Sequence, residues 1–206
     1  MTFEILPLGN MAANCYIIKD DNDEIMVIDP GCDSEVLISK LRKLGGNIKY
    51  IILTHAHVDH IGALDDLKKE FGGSVILHAL EEKALNDSEI NLCVYFGAES
   101  PVTKADIKVN CADTLPFGNS IIKFIHTPGH TIGSMCIQYK NFLFSGDTLF
   151  NLSIGRTDFP GGNFDDITKS IKNKIYTLKG ETIIYPGHGD KTTVSYEKEN
   201  NPFVRG

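Results

Sequence analysis

The sequence predicts an α/β fold in which sheets and helices pack in layers, and three observations carry that reading. Short apolar runs alternate with amphipathic helical stretches in both halves of the chain. No low-complexity linker divides the 206 residues, so one domain spanning 1–206 and built of two halves is expected. Apolar runs stop repeatedly at corners carrying Asp or His, namely Asp29, His55 to His60, His130, Asp147 and His188. Ligands gather at strand ends in open α/β sheets, so several corners are expected to serve one site.

The elements follow in order. Phe3 to Leu8 and Cys15 to Lys19 are β-branched and aromatic, with Gly9-Asn10 as turn material between them. Glu24 to Ile28 is a third strand, which Asp29-Pro30-Gly31 must stop. Asp33 or Ser34 can cap a helix whose stripe is Val36, Leu37, Leu41 and Leu44, ended by Gly45-Gly46. Tyr50 to Leu53 is a continuous apolar run, as in strands buried on both faces. A helix with Leu64, Leu67 and Phe71 on one face follows, closed by Gly72-Gly73, and Ser74 to His78 is a strand. Residues 81 to 112 carry a weaker pattern, a short helix near Glu81 to Asn86 and then a loop-rich excursion containing Tyr95 and Phe96. In the second half, Ser120 to Ile125, Met135 to Tyr139, Phe142 to Phe144 and Thr182 to Tyr185 read as strands. A helix from about Phe164 to Leu178 has Ile167, Ile171, Ile175 and Leu178 as its stripe.

Composition excludes several function classes. With 20 Lys+Arg against 27 Asp+Glu the formal charge is −7, which argues against a nucleic-acid binder needing a basic face. No apolar run approaches the ~20 residues of a membrane-spanning helix. Glu4 stands where a signal peptide would be basic or apolar, so neither a membrane partner nor export is expected and the cytoplasm is the expected location. Five widely spaced cysteines without a CxxC pair read as free thiols rather than a disulfide scaffold or a thiolate zinc site.

The chemistry lies in His55-x-His57-x-Asp59-His60. In an extended segment the side chains at i and i+2 point the same way, so His55 and His57 can present two imidazoles to one cation. Asp59 and His60 fall where the chain turns into a helix and could grip a second cation. Three of only seven histidines within six residues is poor odds for a chance cluster. Imidazole and carboxylate together suit a borderline cation such as Zn²⁺. His130 could complete a three-nitrogen set with His55 and His57, His188 could join Asp59 and His60, and Asp147 could bridge the two ions. Two metals ~3.5–4 Å apart that share a carboxylate form a known hydrolytic device. His78 and His126, each at the end of a strand-like run, are expected to be structural.

These residues resemble the metallo-β-lactamase-fold hydrolases. The HxHxDH segment, the later single His130, the Asp of Ser145-Gly146-Asp147-Thr148 and the late Gly187-His188 match that family's motifs in order, from Leu6 to His188. The resemblance implies a four-layer αββα sandwich with the metal site at one edge of two mixed sheets. It implies His55, His57, Asp59, His60, His130, Asp147 and His188 as metal ligands. It also implies that Asp59 and Asp147 are catalytic and that Asp29 orients the ligand loop without binding metal. Two divalent ions are implied, zinc first, with iron or manganese compatible with the same ligands.

Within that family the sequence is most similar to the single-domain glyoxalase II-like proteins. Gly155-Arg156-Thr157-Asp158, then Pro160-Gly161-Gly162, resembles their segment after the bridging Asp, and Glu197 and Asn201-Pro202-Phe203 resemble their tail. Only 18 residues follow His188, so the helical domain with which full-length glyoxalase II holds glutathione is expected to be missing. The resemblance implies hydrolysis of an S-acyl thioester such as S-lactoylglutathione, or of an ester, by hydroxide generated at the metals. Arg156 could meet a substrate carboxylate or pair with Asp158 or Asp165. The partner is then a small molecule. The alternatives are a mononuclear iron persulfide dioxygenase, whose segment Gly-Arg-Thr-Asp is shared, and a metal-binding module without turnover. A β-lactamase is disfavoured by the expected lack of export, and flavodiiron relatives by His rather than Glu at position 57.

Overall fold

The computed structural model describes residues 1–206, which form two compact units, Met1–Lys108 and Val109–Gly206. The first unit opens with an antiparallel meander, β1 (Thr2–Leu8), β2 (Ala13–Lys19) and β3 (Glu24–Ile28). Helix α1 (Ser34–Leu44) leads to β4 (Asn47–Ile52), which runs parallel to β3. Helices α2 (Val58–Ile61) and α3 (Leu64–Phe71) lead to β5 (Ser74–His78), parallel to β4. The excursion carries α4 (Glu82–Leu85) and α5 (Cys93–Phe96), and β6 (Ile107–Val109) closes the sheet order β1-β2-β3-β4-β5-β6. The sheet is therefore mixed. β4 is buried from Tyr50 onward, as its unbroken apolar run requires.

Leu37, Leu41, Leu64 and Leu67 anchor α1 and α3 on Ile25, Val27 and Ile51 of this sheet. Each such buried aliphatic side chain contributes about 1.5–3 kcal/mol through area removed from water. Two expectations for α1 need correction. Val36 is exposed and lies off the stripe. Asp33 does occupy the N-cap position, but its side chain does not cap the helix; Oδ2 instead accepts the Gly9 amide at 2.8 Å. A tertiary partner thus outcompetes the local one. The excursion also holds more order than its sequence pattern suggests. Four-residue α5 leaves Val94, Tyr95 and Phe96 exposed, so it carries no apolar periodicity to read.

The second unit contains β7 (Thr114–Phe117), β8 (Ser120–His126), β9 (Met135–Tyr139) and β10 (Phe142–Gly146). After Asp147 a small hairpin follows, β11 (Leu149–Phe150) with β12 (Ser153–Ile154). Helix α6 (Phe164–Ser170) continues as one π-helical turn (Ile171–Ile175). β13 (Ile183–Pro186), β14 (Thr192–Thr193) and α7 (Val194–Asn200) complete the unit. The sheet order is β14-β13-β10-β9-β8-β7, mixed because β13 runs parallel to β10.

The helix expected to Leu178 ends at residue 175, and its last turn is wider than an α-helix, with the Tyr176 amide bonded to the Ile171 carbonyl at 2.9 Å. Ile167, Ile171 and Ile175 are all fully buried. Positions spaced by four drift around a helix of about 3.6 residues per turn, and the wider turn offsets that drift. No helix is long and apolar enough to cross a membrane.

Candidate metal centre

Each unit carries one set of donors. In the first, β4 ends at Ile52 and the chain continues through Leu53 and Thr54 into the histidine segment. His57 has φ −72° and ψ 149°, so the segment is extended here, as the i, i+2 argument requires. The His55 and His57 rings lie 4.7 Å apart between centroids and nearly perpendicular, at 85°. The His60 ring lies 4.2 Å from that of His55. His55, His57, Asp59 and His60 are all buried.

Asp29 organises this set. It is 1% exposed and stands at φ 52°, a left-handed conformation that aspartate tolerates better than most residues. Its Oδ1 accepts the Thr54 amide at 2.7 Å. Its Oδ2 accepts the Thr54 hydroxyl at 2.7 Å and faces His60 Nδ1 at 3.0 Å. A carboxylate accepts, so His60 carries its proton on Nδ1 and keeps the Nε2 lone pair. The Thr54 hydroxyl has one hydrogen and gives it to Asp29. Toward His55 Nδ1, 3.1 Å away, Thr54 can therefore only accept. His55 too is protonated on Nδ1, with Nε2 left as the donor to a metal.

The second unit repeats this logic. His130 Nδ1 donates to the Arg156 carbonyl at 2.8 Å, which leaves the Nε2 lone pair. Asp147 Oδ2 lies 3.6 Å from His130 Nε2 and 3.7 Å from His188 Nε2. In the first unit His60 Nε2 and Asp59 Oδ2 are also 3.6 Å apart. These separations are too long for hydrogen bonds. They match instead the edge of a ligand tetrahedron, about 3.4 Å for bonds of about 2.1 Å. Nitrogen lone pairs, carboxylates and tetrahedral spacing together fit a divalent ion of the zinc or iron kind.

Two glycines make the close packing possible. A Cβ on Gly31 would sit 2.5 Å from the Asp59 carbonyl oxygen, and one on Gly155 would overlap the Asp147 carbonyl oxygen. Each glycine therefore lets a neighbouring loop close onto the backbone of a ligand aspartate.

Arg156 is placed by its own segment. Its guanidinium forms two 2.7 Å bonds to Asp158 and lies 3.7 Å above the Phe159 ring. The pair holds the Asp158 carboxyl down, to about 2. The arginine contributes to the donor set through its carbonyl. His78 and His126 both serve loops. His78 Nδ1 accepts the Leu80 amide at 3.3 Å, and His126 Nε2 donates to the Ile132 carbonyl at 2.9 Å. All five cysteines are free thiols, and burial pushes Cys136 up to about 11 and raises Cys15 as well.

Sequence reasoning missed three residues that hold the first set: Thr54, Glu81 and Asn91. Thr54 adjoins the motif and could have been suspected. Glu81 and Asn91 bind the ligand loop from the excursion, where no periodicity marks them.

A family model described as "Metallo-beta-lactamase superfamily" matches residues 8–188. "Hydroxyacylglutathione hydrolase GloC" of Haemophilus influenzae is 34% identical over 220 residues, covering 99% of this chain and 98% of that protein. Among solved structures, the "BLEG-1 B3 metallo-beta-lactamase" is 39% identical, with a TM-score of 0.94 and 100% of each chain covered. "TTHA1623 in a di-iron-bound form" is 30% identical, with a TM-score of 0.86, covering 98% of this chain and 100% of that one.

Proposed function

The chain belongs to the metallo-β-lactamase superfamily, and from that premise we propose that it is a dinuclear thioesterase of the glyoxalase II type, hydrolysing S-acyl thioesters such as S-lactoylglutathione. Metal-dependent hydrolysis is the superfamily's chemistry; the thioester is our own reading. On this reading His55, His57, Asp59 and His60 of the first unit and His130, Asp147 and His188 of the second would be the donors to the two ions. The observation that carries the reading is the set of Nδ1 contacts of His55, His60 and His130. Each gives Nδ1–H to an acceptor in its own unit and keeps Nε2 for a metal. Zinc is the first choice of ion. Iron suits the same donors, and a similar structure holds two irons.

When bound, the ions lower the pKa of a water toward about 7 and polarise the substrate carbonyl. The protein's own groups do the rest. Asp29 and Thr54 hold the His55 and His60 rings in one tautomer. Asp59 and Asp147, with side chains 12% and 13% exposed, would be the carboxylates able to accept a proton from water. His188, at 29%, is the most open of the candidate donors.

The experiment pairs metal analysis of the purified chain with thioester hydrolysis followed optically. About two ions per chain and turnover of S-lactoylglutathione are expected. Asp147→Ala is expected to lose metal and activity together. A metal-loaded protein that turns over no thioester in a panel would refute the reading. The likeness to BLEG-1 favours a second reading, hydrolysis of a β-lactam amide by the same residues. Faster turnover of a chromogenic cephalosporin than of any thioester would select it.

A further inference from the structure

The alternation of His55, Ala56, His57 and Val58 has a backbone counterpart. The parallel ladder between β4 and β5 makes its last bond from the Leu53 amide to the Ile76 carbonyl, 3.0 Å. The Ala56 amide instead donates to Glu81 Oε1 at 3.2 Å, and the Val58 amide to the Asn91 carbonyl at 2.9 Å. Amides at i and i+2 of an extended segment lie on one edge, so these two acceptors hold the same edge of the histidine segment. Glu81 is 1% exposed. Asn91 is locked in turn, its Nδ2 donating to the Leu85 carbonyl at 3.1 Å and its Oδ1 accepting the Cys93 amide at 3.0 Å.

We propose that Glu81 is a positioning residue of the metal centre: its carboxylate, together with the Asn91 carbonyl, keeps the His55–Val58 backbone extended so that both imidazoles address one ion. The peptide between His55 and Ala56 links the two ligands, and rotating it would swing the rings apart. A buried carboxylate holding that peptide by a charge-assisted bond resists the rotation better than water would. The excursion, the least readable part of the sequence, thereby becomes part of the ligand scaffold. The proposal rests on the reading that His55 and His57 hold a metal.

The test uses the full chain, stripped of metal and titrated with zinc against a chromophoric chelator, with the visible spectrum of the cobalt-substituted protein as a second readout. Glu81→Ala is expected to weaken zinc binding about 10–100-fold and to change the cobalt spectrum. Glu81→Gln, which keeps an acceptor oxygen, is expected to restore most of the affinity. Should Glu81→Ala not fold, Glu81→Asp withdraws the carboxylate by one methylene and is expected to shift both readouts in the same direction. His55→Ala is the reference. If His55→Ala weakens zinc binding while the Glu81 variants match the wild type in affinity and spectrum, the positioning role is overturned. If His55→Ala also binds as the wild type does, the metal reading fails and the proposal falls with it.

Discussion

Thr54 shows how much one hydroxyl can decide. It gives its hydrogen to Asp29 and accepts from His55, so it links the Asp29 carboxyl group to the tautomer of His55, a candidate ligand that Asp29 does not touch. Thr54→Val keeps the shape and removes that relay. We expect zinc affinity to fall about 10–100-fold, as for other hydrogen-bond partners of ligand histidines. Stability of the metal-free protein should fall by about 1–3 kcal/mol, since His55 Nδ1 loses its acceptor. Competition titration and thermal melting measure the two; an unchanged affinity would remove Thr54 from the chain of control. The candidate ligand residues stand out at this scale because His and Asp at fixed spacing have few other uses. Their partners do not, because Thr54, Glu81 and the Arg156 carbonyl act through bonds that spacing does not encode.

Among the elements, α6 with its π turn explains the placement of His130. The Asn163 amide bonds the Gly129 carbonyl at 2.8 Å, Ser170 Oγ bonds the Pro128 carbonyl at 2.8 Å, and Lys174 Nζ bonds the His126 carbonyl at 2.5 Å. A Cβ on Gly129 would run into Ile167, so helix and ligand loop are in direct contact. Ile167→Ala is expected to cost about 2–5 kcal/mol, measured by urea unfolding, because the fully buried site cannot collapse around the lost atoms. A loss below about 1 kcal/mol would mean that the helix is not packed as described. The apolar stripe was readable from sequence. The π turn was not, since residue spacing alone does not distinguish a drifting α-helix from a helix that widens to correct the drift.

The whole molecule carries an alkaline liability. Burial raises the thiol of Cys136 from 9.0 to about 11 and moves Cys15 the same way. In the unfolded chain such thiols ionise first, so above their unfolded pKa the unfolded state binds fewer protons. The stability these groups contribute is full below about pH 9, falls as pH rises, and is gone above the folded value. For Cys136 the two-unit shift corresponds to about 3 kcal/mol. Urea midpoints from about pH 8 to about pH 11 should fall, and Cys136→Ala should flatten that fall. An equal slope in the variant would assign the alkaline loss to other groups. The formal charge of −7 counts Asp59 and Asp147, carboxylates that the metal reading assigns to cations, so it says less about partners than it first suggests.

The sequence by itself determined most element types and the strand-end corners, and it singled out the candidate donors, because these rest on local periodicity and on side chains with narrow chemistry. Only the tertiary structure decided which nitrogen each imidazole offers, why glycine stands at positions 31 and 155, and what the excursion does. Several of those answers depend on groups 25 or more residues away in sequence: Asp29 for Thr54, Glu81 for Ala56, Arg156 for His130. The chain brings them together only on folding, so no local pattern can announce them.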